Sequence, residues 1–405
     1  MAESGKNTGK DTGQTSGKLR VGVLFGGRSS EHEISLRSAL TVMSAMDPAR
    51  YEIVPIGIGH DGRWYLENDA LKVLAEKTPH LAALSESGTQ VTLLPHPDSR
   101  ALVNAGASSD SADAARAMMP SGGRAIPGPL DVVFPILHGT YGEDGTVQGL
   151  LELAGIPYVG AGVLGSAIGM DKDMQKRVLR DARVPVVKYF AITRADYDEH
   201  PGLAAGYARK LRFPLFVKPN ALGSSVGISK VKRPAELKAA LEDAFQYDRK
   251  VLLEAACVGR EFECSVLGND RPEASKAGEV IVKGSHEFYS YDSKYVDPDG
   301  SAMKIPAELP RAVHKRLRDI AIAAFKALSL RGMARVDFLA SRDLRRIYVN
   351  EVNTIPGFTA ISMYPKLWEA SGLPLPKLID RLVELALEEH RDRAALKFSY
   401  HPKSS

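Results

Sequence analysis

Apolar positions recur along the chain with two periods, and the switches between them mark its elements. Leu19–Phe25 (LRVGVLF), Tyr51–Gly57 (YEIVPIG) and Leu130–Leu137 (LDVVFPIL) are apolar runs of strand length, and GRWYL adds a short further strand. The run at Leu130–Leu137 is continuous, as in a buried parallel strand. After the first strand, Gly26-Gly27 turns the chain and Ser29 or Ser30 can cap a helix. Glu31 and Glu33 lie in its first turn, and Ile34, Leu36, Ala39, Leu40 and Met43 share its core face. Residues 71–128 lose the pattern; SSDSADAARAMMPSGGR is low-complexity and reads as a surface insertion without chemistry.

Helical spacing returns at Thr146–Ala154 and again through SAIGMDKDMQKRVLRDARVP, which reads as one helix. Strand patterns follow at Phe213–Pro219, Val251–Ala256, REFECSVLG and Glu279–Lys283. The segment 284–304 is long, polar and aromatic, which predicts a lid; Lys294 and Tyr295 lie in it. Pro310–Leu330 is an amphipathic helix. Arg335–Gly357 (RVDFLASRDLRRIYVNEVNTIPG) reads as a hairpin. In it Val336, Phe338 and Ala340 alternate with polar neighbours, and Ile347, Val349 and Val352 do so less strictly. Trp368–His390 closes the chain as a helix.

The 405 residues allow two or three domains. Apolar residues at 44% and charged residues at 25% are ordinary globular usage, and a net charge of +4 gives no support to nucleic-acid binding. No apolar run spans a bilayer. Residues 1–18 carry no apolar segment of a secretory signal and are expected to be a disordered tail. Two cysteines, Cys257 and Cys264, make neither a disulfide framework nor metal-site spacing, and the whole fits a reducing cytoplasm.

Candidate chemistry gathers on the hairpin. With its turn centred near Leu344, Asp337 falls opposite Glu351, and Asn353 points to the same face. Facing carboxylates repel, and a divalent cation between them removes the penalty. An all-oxygen Asp, Glu and Asn set suits Mg²⁺ or Mn²⁺ rather than zinc. The bland reading is an exposed hairpin with solvated charges. On the first reading, Asp337→Asn should leave metal-free melting unchanged or higher. Gly223-Ser224-Ser225-Val226-Gly227, beside Lys218, reads as a flap over phosphates or as a plain turn. Glu254 and Glu261 leave apolar strands, where each suits an adenosine contact or a strand-end charge. His138 follows a strand's C-terminal end, where open α/β sheets bind ligands, and fits a satisfied loop residue equally. Glu31 is a ligand or a favourable first-turn charge.

Six stretches in order (GGRSSEHEISL, HGTYGEDGTVQG, GSAIGMDK, FVKPNALGSSVGISK, the YDSKY loop and RVDF…VNEVNTIPGFT) resemble the D-alanine–D-alanine ligases, ATP-grasp enzymes of peptidoglycan synthesis. The resemblance runs from about Leu19 to the last helix. It implies a mixed α/β and α+β fold. An N-terminal Rossmann-like α/β domain over 19–160 precedes two ATP-grasp subdomains over 161–257 and 258–395, with 396–405 a tail. It implies ATP and two Mg²⁺ (or Mn²⁺) ions, the metals on Asp337, Glu351 and Asn353. Lys172, Lys218 and Lys294 are then phosphate lysines, with Ser225 in the flap over the phosphates. Glu254, Cys257 and Glu261 face the adenosine; the hinge Glu254-Ala-Ala-Cys257 is smaller than in many relatives. Glu31 holds the first D-alanine's ammonium, with His138 near its carboxylate. Arg335 and the Gly357 N–H stabilise the oxyanion, Ser224 and Tyr295 close the lid with Glu31, and Ser362 takes the second carboxylate. The implied reaction is ATP-dependent ligation of two D-alanines through an acyl phosphate, by a cytoplasmic homodimer with no nucleic-acid or membrane partner. A D-alanine–D-lactate ligase and a non-catalytic binding module are the rivals. Lys294-Tyr295 argues against the first, and intact Asp337, Glu351 and Asn353 against the second.

Overall fold

The computed structural model describes residues 17–66, 89–97, 100–105, 128–283 and 300–397. Lys294 and Tyr295 lie outside the described residues, as do 1–16, 398–405 and most of 71–128.

The first sheet holds β1 (Leu19–Gly26), β2 (Tyr51–Ile58), β3 (Trp64–Leu66), β4 (Thr89–Leu93), β5 (Leu102–Asn104) and β6 (Val132–Pro135), in the order β5-β4-β3-β2-β1-β6. β1 pairs in parallel with β2 and β6, and the other pairings are antiparallel. Both faces are covered, which is why β1 and β6 read as unbroken apolar runs. Val21, Val23 and Phe25 pack with α1 (His32–Ala45), while Leu24 and Val133 pack with α2 (Thr146–Leu153). β4 and β5 correct the reading of 71–128 as an insertion outside the fold. Val91, Leu93 and Leu102 are buried in the sheet, and the alternation in TQVTL is only five residues long, a weak signal by itself.

The single helix expected through MDKDMQKR is two, α3 (Val163–Met170) and α4 (Lys172–Asp181). Asp171 between them is extended, and its Oδ1 accepts the Met174 N–H at 2.8 Å, so it caps α4. The second sheet, in the order β7-β10-β8-β9, is antiparallel throughout: β7 (Tyr189–Thr193), β8 (Leu215–Pro219), β9 (Ser229–Val231) and β10 (Lys250–Ala255). Helices α5 (Arg194–Glu199), α6 (Leu203–Leu211) and α7 (Leu237–Ala244) belong to this part of the chain. α6 and α7 cover Leu215, Val217, Val251 and Leu253. The alternate residues Phe216, Lys218 and Glu254 line a cleft on the opposite face.

The third sheet is antiparallel: β11 (Gly259–Leu267), β12 (Glu273–Ala274), β13 (Gly278–Val282), β14 (Ser301–Lys304), β15 (Met333–Ser341) and β16 (Ile347–Asn353). β14 corrects the end of the expected lid, because 301–304 pair with β13. α8 (Arg311–Ala327) packs Leu317, Ala321, Ala324 and Phe325 on Val336, Phe338 and Val352. The closing helix is also two, α9 (Met363–Ala370) and α10 (Leu375–Ala394), interrupted where Gly372 takes φ +98 ahead of Pro374. α10 returns to the first sheet. Leu378, Leu382 and Val383 share a core with Val21 and Phe25, and the Tyr51 hydroxyl donates to Asp380 Oδ1 at 2.9 Å.

Candidate active site

β15 and β16 pair in the register expected from a turn near Leu344, with Asp337 opposite Glu351 and Arg335 opposite Asn353. The register then slips by one residue between Asp337 and Phe338, so Asn350 is the extra residue of a β-bulge. This slip explains the uneven spacing from Val349 to Val352. Val336, Phe338 and Val352 face the core; Arg335, Asp337, Glu351 and Asn353 share the cleft face.

The Arg335 guanidinium corrects the expectation of uncompensated repulsion. Its Nε and Nη2 donate to Asp337 Oδ1 and Oδ2 at 2.7 and 2.8 Å, and its Nε lies 2.9 Å from Glu263 Oε2 on β11. Asn353 Nδ2 also donates to Asp337 Oδ2, at 3.0 Å. Of the hairpin's acids, Asp337 therefore already has a counter-charge. Their donor set of two carboxylates and one amide fits a hard divalent cation. Among the described residues no group of three or more His, Cys, Asp or Glu side chains forms a metal cluster.

A cavity of about 230 Å³ lies between the second and third sheets. Lys218, Ser225, Glu254, Cys257, Glu261, Asp337 and Glu351 all line it. Glu254 is 1% exposed, with Oε1 2.7 Å from Lys218 Nζ and Oε2 2.8 Å from Lys176 Nζ. Burial alone would raise its carboxyl; the two ammonium groups outweigh that and hold it at about 2. Glu254 is thus first a counter-ion for two lysines, a role its expected adenosine contact did not include. The half-buried Cys257 thiol is pushed up by burial. Lys172 opens α4, buried, and its Nζ donates to the Leu222 carbonyl at 2.6 Å where the flap begins. Burial lowers its pKa, against the opposing charge of Glu351.

A second cavity, about 80 Å³, adjoins the hairpin's other end. Glu31, His138, Glu143, Ser224, Arg335, Glu351, Asn353 and Gly357 line it. Glu351 faces both cavities. The Ser224 hydroxyl donates to Glu31 Oε1, joining the flap to the N-terminal domain. A Cβ at Gly223 would lie 2.5 Å from Glu31 Oε2, so a side chain here would displace the Glu31 carboxylate from its place beside the flap. Ser362, the N-cap of α9, lies beside Gly357, and its hydroxyl meets Thr359 Oγ1 at 2.7 Å.

His138 stands in the wall of this cavity, with its ring held from both sides by the protein. Burial lowers its pKa, and both ring nitrogens are engaged: Nδ1 with the Ile355 carbonyl at 3.0 Å and Nε2 with Ser38 Oγ at 3.0 Å. Ser38 Oγ accepts the Phe358 N–H, so its own proton suits Nε2, and Nδ1–H donates to Ile355. The ring ties the N-terminal domain to the chain leaving the hairpin.

Glu143 has a role the sequence did not reveal. Its two oxygens accept the Gly139 and Ile355 N–H groups at 2.7 and 3.1 Å. Burial, and then the charge of Glu31, raise its carboxyl from 4.5 to about 8. A raised acid contributes stability that is complete below the unfolded value, 4.5, and lost as pH rises through about 8. The wild-type melting temperature should fall between pH about 5 and 8 more steeply than that of Glu143→Gln. Parallel slopes in the two proteins would contradict this. Glu263, Asn350 and Lys176 also went unassigned. Lys176 stands one turn beyond Lys172 on α4, and that spacing was the available signal.

A larger cavity, about 520 Å³, lies between Tyr158 and α10 and contains none of the predicted site residues. Its charged walls pair with each other, Glu152 with Arg393 and Arg331 with Glu389.

Two antiparallel sheets facing across a lysine-rich cleft, behind an N-terminal α/β domain, make this an ATP-grasp protein. The family profiles described as D-ala D-ala ligase N-terminus and D-ala D-ala ligase C-terminus match residues 20–161 and 178–384. The chain is 48% identical over 388 residues to the D-alanine–D-alanine ligase A of Chromobacterium violaceum, covering 95% of this chain and 99% of that one. It is 44% identical over 380 residues to the D-alanine–D-alanine ligase A of Escherichia coli K12, covering 94% and 99%. Among solved structures, the D-alanine–D-alanine ligase from Coxiella burnetii superimposes with a TM-score of 0.77 at 40% identity, covering 93% of this chain and 96% of that one. The VanG D-Ala:D-Ser ligase from Enterococcus faecalis gives 0.76 at 34%, covering 91% and 100%. The chain belongs to the D-alanine–D-alanine ligase family.

Proposed function

We propose that this chain joins two D-alanine molecules into D-alanyl-D-alanine for peptidoglycan precursors, with ATP as co-substrate. The observation that carries the reading is the pair of cavities sharing Glu351 as a wall, one lined by lysine and adenosine-type contacts, the other by Glu31 and Arg335. Glu31, oriented by Ser224, binds the first D-alanine's ammonium. Its carboxylate then lies toward Arg335 and the Gly357 N–H. An oxygen of that carboxylate attacks the γ-phosphorus, the bond to ADP breaks, and an acyl phosphate forms. The amine of the second D-alanine, held through its carboxylate by Ser362, attacks the acyl carbon. The C–O bond to phosphate breaks, and the nitrogen gives up a proton. Lys172, Lys218 and, from the lid, Lys294 neutralise phosphate charge, and Ser225 donates from the flap. Glu254, Cys257 and Glu261 border the adenosine. Tyr295 closes the lid with Ser224 and Glu31, keeping water from the acyl phosphate. Asp337, Glu351 and Asn353 would hold two Mg²⁺ or Mn²⁺ ions, which when bound neutralise charge on the transferred phosphoryl group.

The proposal extends to domain boundaries near 160 and 257, which fall between the three sheets. It includes a homodimer acting in the cytoplasm. No helix among the described residues is long and apolar enough to cross a membrane. Purified protein with ATP and Mg²⁺ should release ADP only when D-alanine is added, and should make the amide dipeptide. Equal ADP release without D-alanine would overturn the ligase reading. Preferential ester formation with added D-lactate would move the assignment to the depsipeptide.

A further inference from the structure

The bulge in β16 changes which side chains meet the cleft. In unbroken alternation Asn350 and Glu351 would face opposite sides of the sheet. The slip lets both face the cleft: Glu351 meets Asp337, and Asn350 meets the lysines of the neighbouring elements. Lys218 Nζ donates to Asn350 Oδ1 at 3.2 Å, and Lys176 Nζ donates to the Asn350 carbonyl at 3.0 Å. The same two ammonium groups take the two oxygens of Glu254. Lys176, Glu254, Lys218 and Asn350 therefore close a ring that joins α4, strands β8 and β10 of the second sheet, and the β15–β16 hairpin.

Lys176 is 1% exposed and lines neither cavity, so it does not itself touch nucleotide. It is not needed to attach α4 to β16 either. Gln175 already does that, its Oε1 accepting the Val352 N–H at 3.0 Å and its Nε2 donating to the Val352 carbonyl at 3.2 Å. Its distinct contribution is electrostatic. One carboxylate shared between two ammonium groups leaves one positive charge over. If Lys176 were neutral, Glu254 and Lys218 would collapse into a one-to-one pair, and Lys218 would be drawn from the phosphates.

We propose that Lys176 is a positioning residue that saturates Glu254 and the Asn350 bulge, so that Lys218 stays available to the nucleotide phosphates. This rests on the reading of Lys218 as a phosphate lysine.

The test measures ATP binding calorimetrically without D-alanine, then KM for each substrate. Lys176→Met should weaken ATP binding about tenfold or more, while KM for D-alanine changes less than about twofold. Adding Glu254→Gln to that variant should restore part of the lost affinity, because the amide no longer captures Lys218. A merely structural lysine would not be rescued by neutralising its partner. Asn350→Ala, which keeps the carbonyl that Lys176 uses, should weaken ATP binding about threefold to tenfold. It also serves if Lys176→Met does not fold. ATP binding at wild-type strength in Lys176→Met or Asn350→Ala, or a double variant weaker than the single one, overturns the proposal. A wild-type protein that binds no ATP overturns the nucleotide reading of the cleft itself, which separates the two failures.

Discussion

Asp337→Asn should lower kcat by about a thousandfold or more and also lower the melting temperature of the metal-free protein. The catalytic loss follows from removing one of the two carboxylates in the proposed cation set. The stability loss follows from Arg335, whose two nitrogens grip both Asp337 oxygens at 2.7 and 2.8 Å. An asparagine offers one acceptor, and its amide N–H₂ would face either the guanidinium or Asn353 Nδ2, donor against donor. Both partners are mostly buried, with side-chain exposures of 16% and 13%, so the cost should be about 1–3 kcal/mol. Calorimetry in the presence of chelator checks this. An unchanged melting temperature would show that Arg335 does not stabilise the acidic face. Retained turnover would remove Asp337 from the cation set.

Glu31→Gln should raise KM for the first D-alanine by about 10- to 100-fold and leave ATP affinity nearly unchanged. Gln keeps an oxygen for the Ser224 hydroxyl, so the contact between flap and N-terminal domain persists while the charge facing the ammonium is lost. A second effect distinguishes this from general damage. The Glu31 charge is one cause of the raised Glu143 pKa. Without it, Glu143 ionises at lower pH, and the decline of stability between pH about 5 and 8 becomes shallower. A variant with wild-type KM for D-alanine, or one whose melting temperature depends on pH as the wild type's does, would contradict the assigned place of Glu31.

The hairpin was legible because alternation is a local signal. Val336, Phe338 and Ala340 marked one face, so Asp337 had to lie on the other, and the turn centre put Glu351 opposite. The bulge left only a one-residue irregularity between Val349 and Val352, and its consequence for Asn350 depends on α4 lying against β16. Lys176 and Glu143 went unassigned for the same reason: their partners, Glu254 and Ile355, are 78 and 212 residues away in sequence. His138 was placed beside the right cavity, but not with both nitrogens consumed, since Ser38 and Ile355 come from different domains. The helix breaks at Asp171 and Gly372 were written in capping and turn residues that the apolar periodicity overrode. β4 stayed hidden because five alternating residues are a weak signal by themselves.

The most direct test of the account follows an oxygen atom. D-alanine labelled with ¹⁸O in its carboxylate, incubated with ATP, Mg²⁺ and the protein, should yield D-alanyl-D-alanine and inorganic phosphate that carries one ¹⁸O per turnover. The carboxylate oxygen that attacks phosphorus stays with it when the second amine displaces phosphate. Dipeptide formed alongside unlabelled phosphate would contradict the account.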